Sequence, residues 1–158
     1  MTDTKFELRR LGPQDAPLLE ALSTLFGDVF DEVDTYTGAR PSSEYLERLL
    51  AGPTFITLVA LDGEVVIGGL AAYELPKFEQ ERSEIYIYDL GVAASHRRRG
   101  VATALLRRLT EIAADRGAHV VFVQADQGDD PATALYTKLG TREDVLHFDL
   151  DMPEPDAG

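Results

Sequence analysis

Residues 54–75 most constrain the fold. They read TFITLVAL, then DGE, then VVIGGLAAYEL. Two apolar, β-branched runs joined at Asp62-Gly63 are a hairpin, because that dipeptide favours the left-handed turn which matches strand twist. SEIYIYDLGV, Ser83–Val92, is a further strand of the same kind. The chain is therefore organised around a sheet, and the helices it encodes must pack on that sheet.

Around this centre the elements follow from periodicity. Lys5–Leu11 alternates and meets Gly12-Pro13, as a first strand would. From Ala16 to Val33 apolar residues recur at helical spacing, including Leu18, Leu22, Leu25, Phe26 and Val29. Ser42–Leu50 predicts a short helix capped by Ser42 or Ser43. A helix with the stripe Ala102, Leu105, Leu106, Leu109, Ile112 and Ala113 runs to Arg116 and stops at Gly117. HVVFVQAD is nearly continuous in apolar residues, which predicts a strand central in the sheet. Asp129 or Asp130 caps a helix with Pro131 in its first turn, ended by Gly140. VLHFDLDM alternates as a last strand, and PEPDAG predicts a disordered tail. The order β-α-α-β-β-β-α-β-α-β gives an α+β layered domain.

Charge is distributed unevenly. Asp and Glu number 28 against 15 Lys and Arg, a formal net charge of -13. Such a surface disfavours nucleic acid and anionic membranes and attracts cations, whether a small polyamine or a lysine-rich peptide. There is no cysteine, which excludes disulfides, thiolate metal sites and a cysteine nucleophile. The three histidines, His96, His119 and His147, have no metal-ligand spacing, so no metal is expected, and His96 is expected to face solvent. MTDTKFELRR has no apolar core of a signal peptide, and no run approaches the ~18 apolar residues of a membrane span. The expected location is the cytoplasm, with no membrane partner.

Against that acidity stands HRRRGVATALLRRL, residues 96–109. Cations at a helix N-terminus are mildly unfavourable, so an anion should offset the arrangement. A strand, a glycine-bearing turn and a helix N-terminus form a phosphate-binding layout, in which free N–H groups point at the anion and glycine permits close approach. Neither dinucleotide-fold nor P-loop glycine patterns are present.

Arg97-Arg98-Arg99-Gly100-Val101-Ala102, after Leu90-Gly91-Val92, resembles the acetyl-coenzyme A pyrophosphate loop of the GCN5-related N-acetyltransferase (GNAT) superfamily. PATALYTKLG resembles the second motif helix of that superfamily. LPKFEQERSEIYIYDLGV, VQADQGDDPATALYTKLG and HFDLD further resemble its type I aminoglycoside 3-N-acetyltransferases, and the likeness runs from the first strand to Asp151. The resemblance implies one acetyltransferase domain, 1–151, with 152–158 as a tail. It implies a mixed, mostly antiparallel sheet with helices on both faces, splayed between the fourth and fifth strands. Acetyl-coenzyme A is the implied cosubstrate and a cationic aminoglycoside the implied acceptor. Dimers are common in the family, so a homodimer is expected.

The resemblance also distributes roles. Arg97, Arg98, Arg99, Gly100, Val101, Ala102 and Thr103 would hold the pyrophosphate, with the pantetheine arm along Leu90, Gly91 and Val92. Tyr136 matches the tyrosine that protonates the departing thiolate. Candidates for the base are Glu84, Asp89 and Asp126. Ideal alternation puts Glu84, Tyr86 and Tyr88 on one face and Asp89 on the other. Gly91 hints at a bulge that would turn Asp89 toward the acetyl site, so Asp89 is favoured and Glu84 comes second. Glu79, Glu84, Asp89, Asp126 and Asp129 would receive the cationic acceptor, with Tyr36, Tyr73 or Tyr88 as apolar and hydrogen-bonding surface. Asp28, Asp31, Glu32 and Asp34 would form a substrate wall. Asp129 and Asp130 have a rival role as helix caps.

Overall fold

The computed structural model describes residues 5–155. The outermost parts of the expected single domain and of its tail, residues 1–4 and 156–158, lie outside the described residues. The rest forms two compact units that divide after Gln124.

In the first unit the strands are β1 (Glu7–Arg10), β2 (Phe55–Asp62), β3 (Val65–Pro76), β4 (Ser83–Val92) and β5 (Ala118–Val123). They form one sheet in sequence order. The first three pairings are antiparallel and β4 with β5 is parallel. The helices are α1 (Ala16–Val29), α2 (Val33–Thr37), α3 (Ser43–Ala51) and α4 (Val101–Arg116). Ser42 caps α3, its Oγ accepting from the Tyr45 N–H at 3.1 Å. Gly117 ends α4 at φ 76°, the left-handed cap foreseen there.

Adjacent residues of a strand face opposite sides of a sheet, and Gly68 and Gly69 show which helix lies on each. A Cβ on Gly68 would meet Val101 of α4 at 3.1 Å, while one on Gly69 would meet Leu22 of α1 at 2.5 Å. The sheet is thus covered on both faces, by α4 on one and by α1 and α3 on the other. Leu19, Leu22, Phe26, Leu46, Leu50, Phe55 and Val59 make the core on the α1 side. A Cβ at Gly69 would also stand 2.7 Å from the Leu58 carbonyl oxygen, which cannot rotate away. Gly69→Ala is therefore expected to destabilise the fold by about 1–3 kcal/mol. Urea denaturation at constant m would register this as a lower midpoint.

Three expectations are corrected. The first helix ends at Val29, because Asp31 adopts φ 55° and breaks the hydrogen-bond ladder before α2 restarts at Val33. HVVFVQAD supplies β5, but β5 stands at the end of the strand order and is not central. The alternating VLHFDLDM forms no strand: among the described residues, 141–155 take part in no ladder, and alternation alone does not make a strand. Among the described residues no helix is long and apolar enough to cross a membrane.

The second unit contains α5 (Asp130–Leu139). The Asp129 side chain caps it, accepting from the Ala132 N–H at 3.3 Å. Of the two cap candidates it is Asp129 that serves.

Candidate active site

Strand β4 builds the site. Ala71 of β3 pairs with Asp89, yet the neighbouring Ala72 pairs with Ile87, so Tyr88 is an extra residue in β4. This is a bulge, and it resets the alternation. Before it, Ile85 and Ile87 are buried while Tyr86 lies opposite Tyr73. After it, Asp89 lies opposite Ala71 on the α1 face, and Gly91 packs toward Phe26 and Phe30. The bulge expected near Asp89 is present and brings the carboxylate onto the face that also carries Tyr86 and Tyr88.

Asp89 there accepts a hydrogen bond from the Tyr36 hydroxyl at 2.8 Å. The two line a cavity of about 240 Å³ under α1, with Tyr73, Tyr45, Phe26 and Arg40. Burial raises the Asp89 carboxyl above the ordinary carboxylate range; the bond from Tyr36 opposes this and the charge of Glu32 adds to it. Tyr36 is itself pushed up, by burial first and then by Asp89, so it stays a donor at all working pH. A half-buried carboxylate with a raised pKa in a cavity is the usual constitution of a general base. Arg40 is turned outward onto α1, its guanidinium reaching Thr24 Oγ1 at 2.6 Å and Glu20 at 3.5 Å.

Aromatic rings continue the wall. Tyr86 stacks on Phe122 with centroids 4.7 Å apart, and Tyr88 meets Tyr73 edge-on at 6.2 Å. Glu84 stands five residues back along the strand, roughly 16 Å from Asp89. There it faces His119 at 3.2 Å and Lys77 at 3.9 Å. Glu79 also pairs with Lys77, at 3.7 Å. The structure thus joins Asp89 with Tyr36 and sets Glu84 and Glu79 in a separate ion-paired group.

Beyond Asp89, β4 keeps a free edge. β5 pairs with β4 only from Ser83 to Ile87. Leu90, Gly91 and Val92 are therefore hydrogen-bonded through β3 alone, which is the divergence of fourth and fifth strands that the family resemblance implied. The edge runs into the arginine turn. Arg98 adopts φ 63° and Gly100 φ 77°, two left-handed residues on either side of Arg99 that turn the chain sharply. The first N–H groups of α4, at Val101, Ala102 and Thr103, have no acceptor within the helix. Arg9, Arg40, Arg108, Arg116 and Arg142 each pair with a carboxylate. Among the described residues Arg97, Arg98 and Arg99 do not, nor do Arg10, Arg48, Arg82 and Arg107; the three at the turn are adjacent and all exposed. Free amides and free guanidinium groups around one turn fit a pyrophosphate. His96 beside them is half-buried against Asp62 at 3.3 Å, contrary to the solvent-facing position expected.

In the second unit Asp126 is exposed, and its carbonyl accepts from the Asp129 N–H at 3.2 Å. Tyr136 is half-buried on α5, and burial, reinforced by Asp129, raises its hydroxyl pKa. Sequence reasoning missed Arg40 and Tyr45 on the cavity wall. Neither stands in a pattern that marks it, since α1, α2 and α3 assemble the wall from distant positions.

The comparisons with known proteins follow this geometry. The model of the acetyltransferase (GNAT) family matches residues 19–141. A solved aminoglycoside acetyltransferase from an uncultured soil metagenomic sample is 55% identical, with a TM-score of 0.93 over 95% of this chain and 100% of that one. Another from such a sample, solved in complex with sisomicin, is 32% identical with a TM-score of 0.88 over 96% and 99%. L-2,4-diaminobutyric acid acetyltransferase of Shouchella clausii is 33% identical over 52% of this chain and 44% of its own length. N-acetyltransferase 8B of Rattus norvegicus is 29% identical over 57% and 40%. The match thus spans less than half the length of these last two relatives. With a family match over most of the sequence, and a strand, free edge and anion turn that fit it, this chain belongs to the GNAT acetyltransferase family.

Proposed function

We propose that the chain is an aminoglycoside 3-N-acetyltransferase that uses acetyl-coenzyme A and confers antibiotic resistance. In this reading it is one domain, 1–151, working in the cytoplasm as a homodimer. The observation that carries the proposal is Asp89 held by Tyr36 on the same strand whose free edge leads into the arginine turn. A base and an anion cradle on one β-strand suit an amine acceptor and a phosphate-bearing donor. The acceptor class is supported by the similarity to aminoglycoside acetyltransferases, and the 3-amino position by the sequence resemblance alone.

The donor supplies an acetyl thioester. Backbone N–H groups of Arg98–Thr103 and the side chains of Arg97, Arg98 and Arg99 bind its pyrophosphate. A backbone N–H near Leu90–Val92 polarises the carbonyl oxygen. Asp89 takes the proton of the acceptor ammonium, directly or through water. The neutral amine attacks the carbonyl carbon, the N–C bond forms and the C–S bond breaks. Tyr136 gives its proton to the leaving sulfur, and the acylated nitrogen releases its surplus proton, which through solvent restores the Tyr136 hydroxyl. Asp126, Asp129, Glu79 and Glu84 bind further ammonium groups of the acceptor, and Tyr36 and Tyr88 face its sugar rings.

Thiol release with acetyl-coenzyme A tests the reading. Sisomicin and gentamicin are expected to turn over and to yield a 3-N-acetyl product by NMR. Turnover with spermine, diaminobutyrate or a lysine peptide but not with either antibiotic would move the acceptor class. No turnover with any amine would leave an acyl-coenzyme A-binding module. Each of Arg97→Ala, Arg98→Ala and Arg99→Ala is expected to raise KM for the donor about tenfold, less at high salt, with kcat spared. Initial-rate titrations of donor at two ionic strengths would show it.

A further inference from the structure

The cavity beneath α1 does not match the size of the acceptor proposed above. At about 240 Å³ it has room for roughly 8–12 non-hydrogen atoms, allowing about 20–30 Å³ for each. That is one ring and a short tail, about a third of a three-ring aminoglycoside. An aminoglycoside with one amine at Asp89 must keep most of its body outside, against the exposed ring of Tyr88. The cavity itself suits a smaller guest.

Its walls say what kind of guest. Leu22 and Phe26 of α1, Leu46 and Leu49 of α3, and Phe55 of β2 line it. A sugar covered in hydroxyl groups would lose hydrogen bonds to water there and find few in return. Two ring pairs frame the space. Phe26 meets Tyr36 edge-on at 6.0 Å, and Phe55 tilts against Tyr73 at 5.3 Å. Rings so disposed take a further aromatic ring edge-to-face or offset. Ala71, the ladder partner of Asp89, also lines the cavity, and its short side chain leaves room before the carboxylate. Asp89 Oδ1 accepts from Tyr36, and among the described residues Asp89 joins no ion pair. Arg40 on the wall is engaged by Glu20 and Thr24. An anion without a cation, set among aromatic rings, suits one ammonium group on an apolar body.

We infer that the enzyme also N-acetylates arylalkylamines, primary amines on a short aliphatic tail, with the aromatic ring in this cavity and the ammonium group on Asp89 Oδ2. The inference rests on Asp89 as the base and acetyl-coenzyme A as the donor, and not on the aminoglycoside. Asp89 immediately precedes Leu90, so an amine held there stands at the start of the free edge of β4. The ammonium gives one proton to Asp89, and the neutral nitrogen attacks the acetyl carbonyl. The N–C bond forms and the C–S bond breaks. The departing thiolate takes up a proton, and the amide nitrogen sheds its second one to solvent. The products are an N-arylalkyl acetamide, coenzyme A as the thiol and one net proton.

Thiol release on the full chain, with acetyl-coenzyme A and 2-phenylethylamine, ethanolamine or sisomicin as acceptor, tests this. kcat/KM for 2-phenylethylamine should exceed that for ethanolamine at least about tenfold. 2-Phenylethylamine should also inhibit sisomicin acetylation competitively, because both amines need Asp89. Leu49→Trp fills the cavity and should lower the ratio of kcat/KM for 2-phenylethylamine over sisomicin at least about tenfold, while Leu49→Met should hold it within about twofold. Loss of folded protein lowers both rates alike and leaves that ratio in place. Fluorine NMR reads binding without turnover: 2-(4-fluorophenyl)ethylamine should broaden with the native chain and stay sharp with Leu49→Trp. Sisomicin acetylated with no acetylation of 2-phenylethylamine would overturn the inference and leave the proposed function standing. Acetylation of 2-phenylethylamine alone would support the inference and overturn the aminoglycoside. The fluorinated amine bound with neither acceptor acetylated would overturn both, through their shared base. A ratio unmoved by Leu49→Trp would overturn the inference as well.

Discussion

Asp89→Asn is expected to lower kcat/KM for acetyl transfer by about 10²–10⁴ and, at neutral pH, to make the protein more stable. The loss follows from removing the base while keeping the shape, since the asparagine oxygen can still accept from Tyr36. The gain follows from linkage. Burial raises the Asp89 pKa in the folded state, so folding favours its protonated form. The stability this group contributes is fully present below the ordinary carboxylate value of about 4 and is lost as pH rises through the raised folded value. The neutral amide avoids that loss. Calorimetry should therefore find the variant's advantage in Tm growing across that window and vanishing at pH 3. In the native enzyme the acid limb of kcat/KM should stand above the usual carboxylate range. Glu32→Gln should move the limb downward, because the Glu32 charge helps hold the proton on Asp89. An asparagine variant with native turnover would remove Asp89 from the chemistry.

Tyr136→Phe should reduce kcat about 10²-fold and leave donor binding intact. Burial keeps the Tyr136 hydroxyl protonated through the neutral range, as an acid must be. The decisive readout is the leaving group. An acetyl thioester of an acidic aryl thiol needs no proton on departure, so the variant should recover most of its rate with that donor. Equal losses with both donors would make the effect one of packing on α5.

Local chemistry made much of this fold legible. Asp62-Gly63 announced the hairpin, and Gly63 does take φ 63°. Gly100 and Gly117 bracket α4, and Ser42 and Asp129 cap their helices as their side chains dictate. Strand order was less accessible, because an apolar run such as Ala118–Val123 reads alike at a sheet's centre and at its edge. VLHFDLDM alternates as a strand does, yet it forms none, because alternation sets which faces side chains take and supplies no partner strand. The Tyr36–Asp89 bond spans 53 positions, and no periodicity connects them. Gly91 pointed to the bulge, but pairing with Ala71 and Ala72 was needed to name Tyr88 as the extra residue.

The register of β4 also bears on how such a gene can vary. Tyr88 is surplus to the ladder, so an in-frame loss of its codon returns β4 to plain alternation and leaves Asp89 opposite Ala71. The exposed ring would go and the carboxylate would stay. A lineage could thereby remodel the aromatic wall in one mutational event, without passing through an intermediate that lacks the acid.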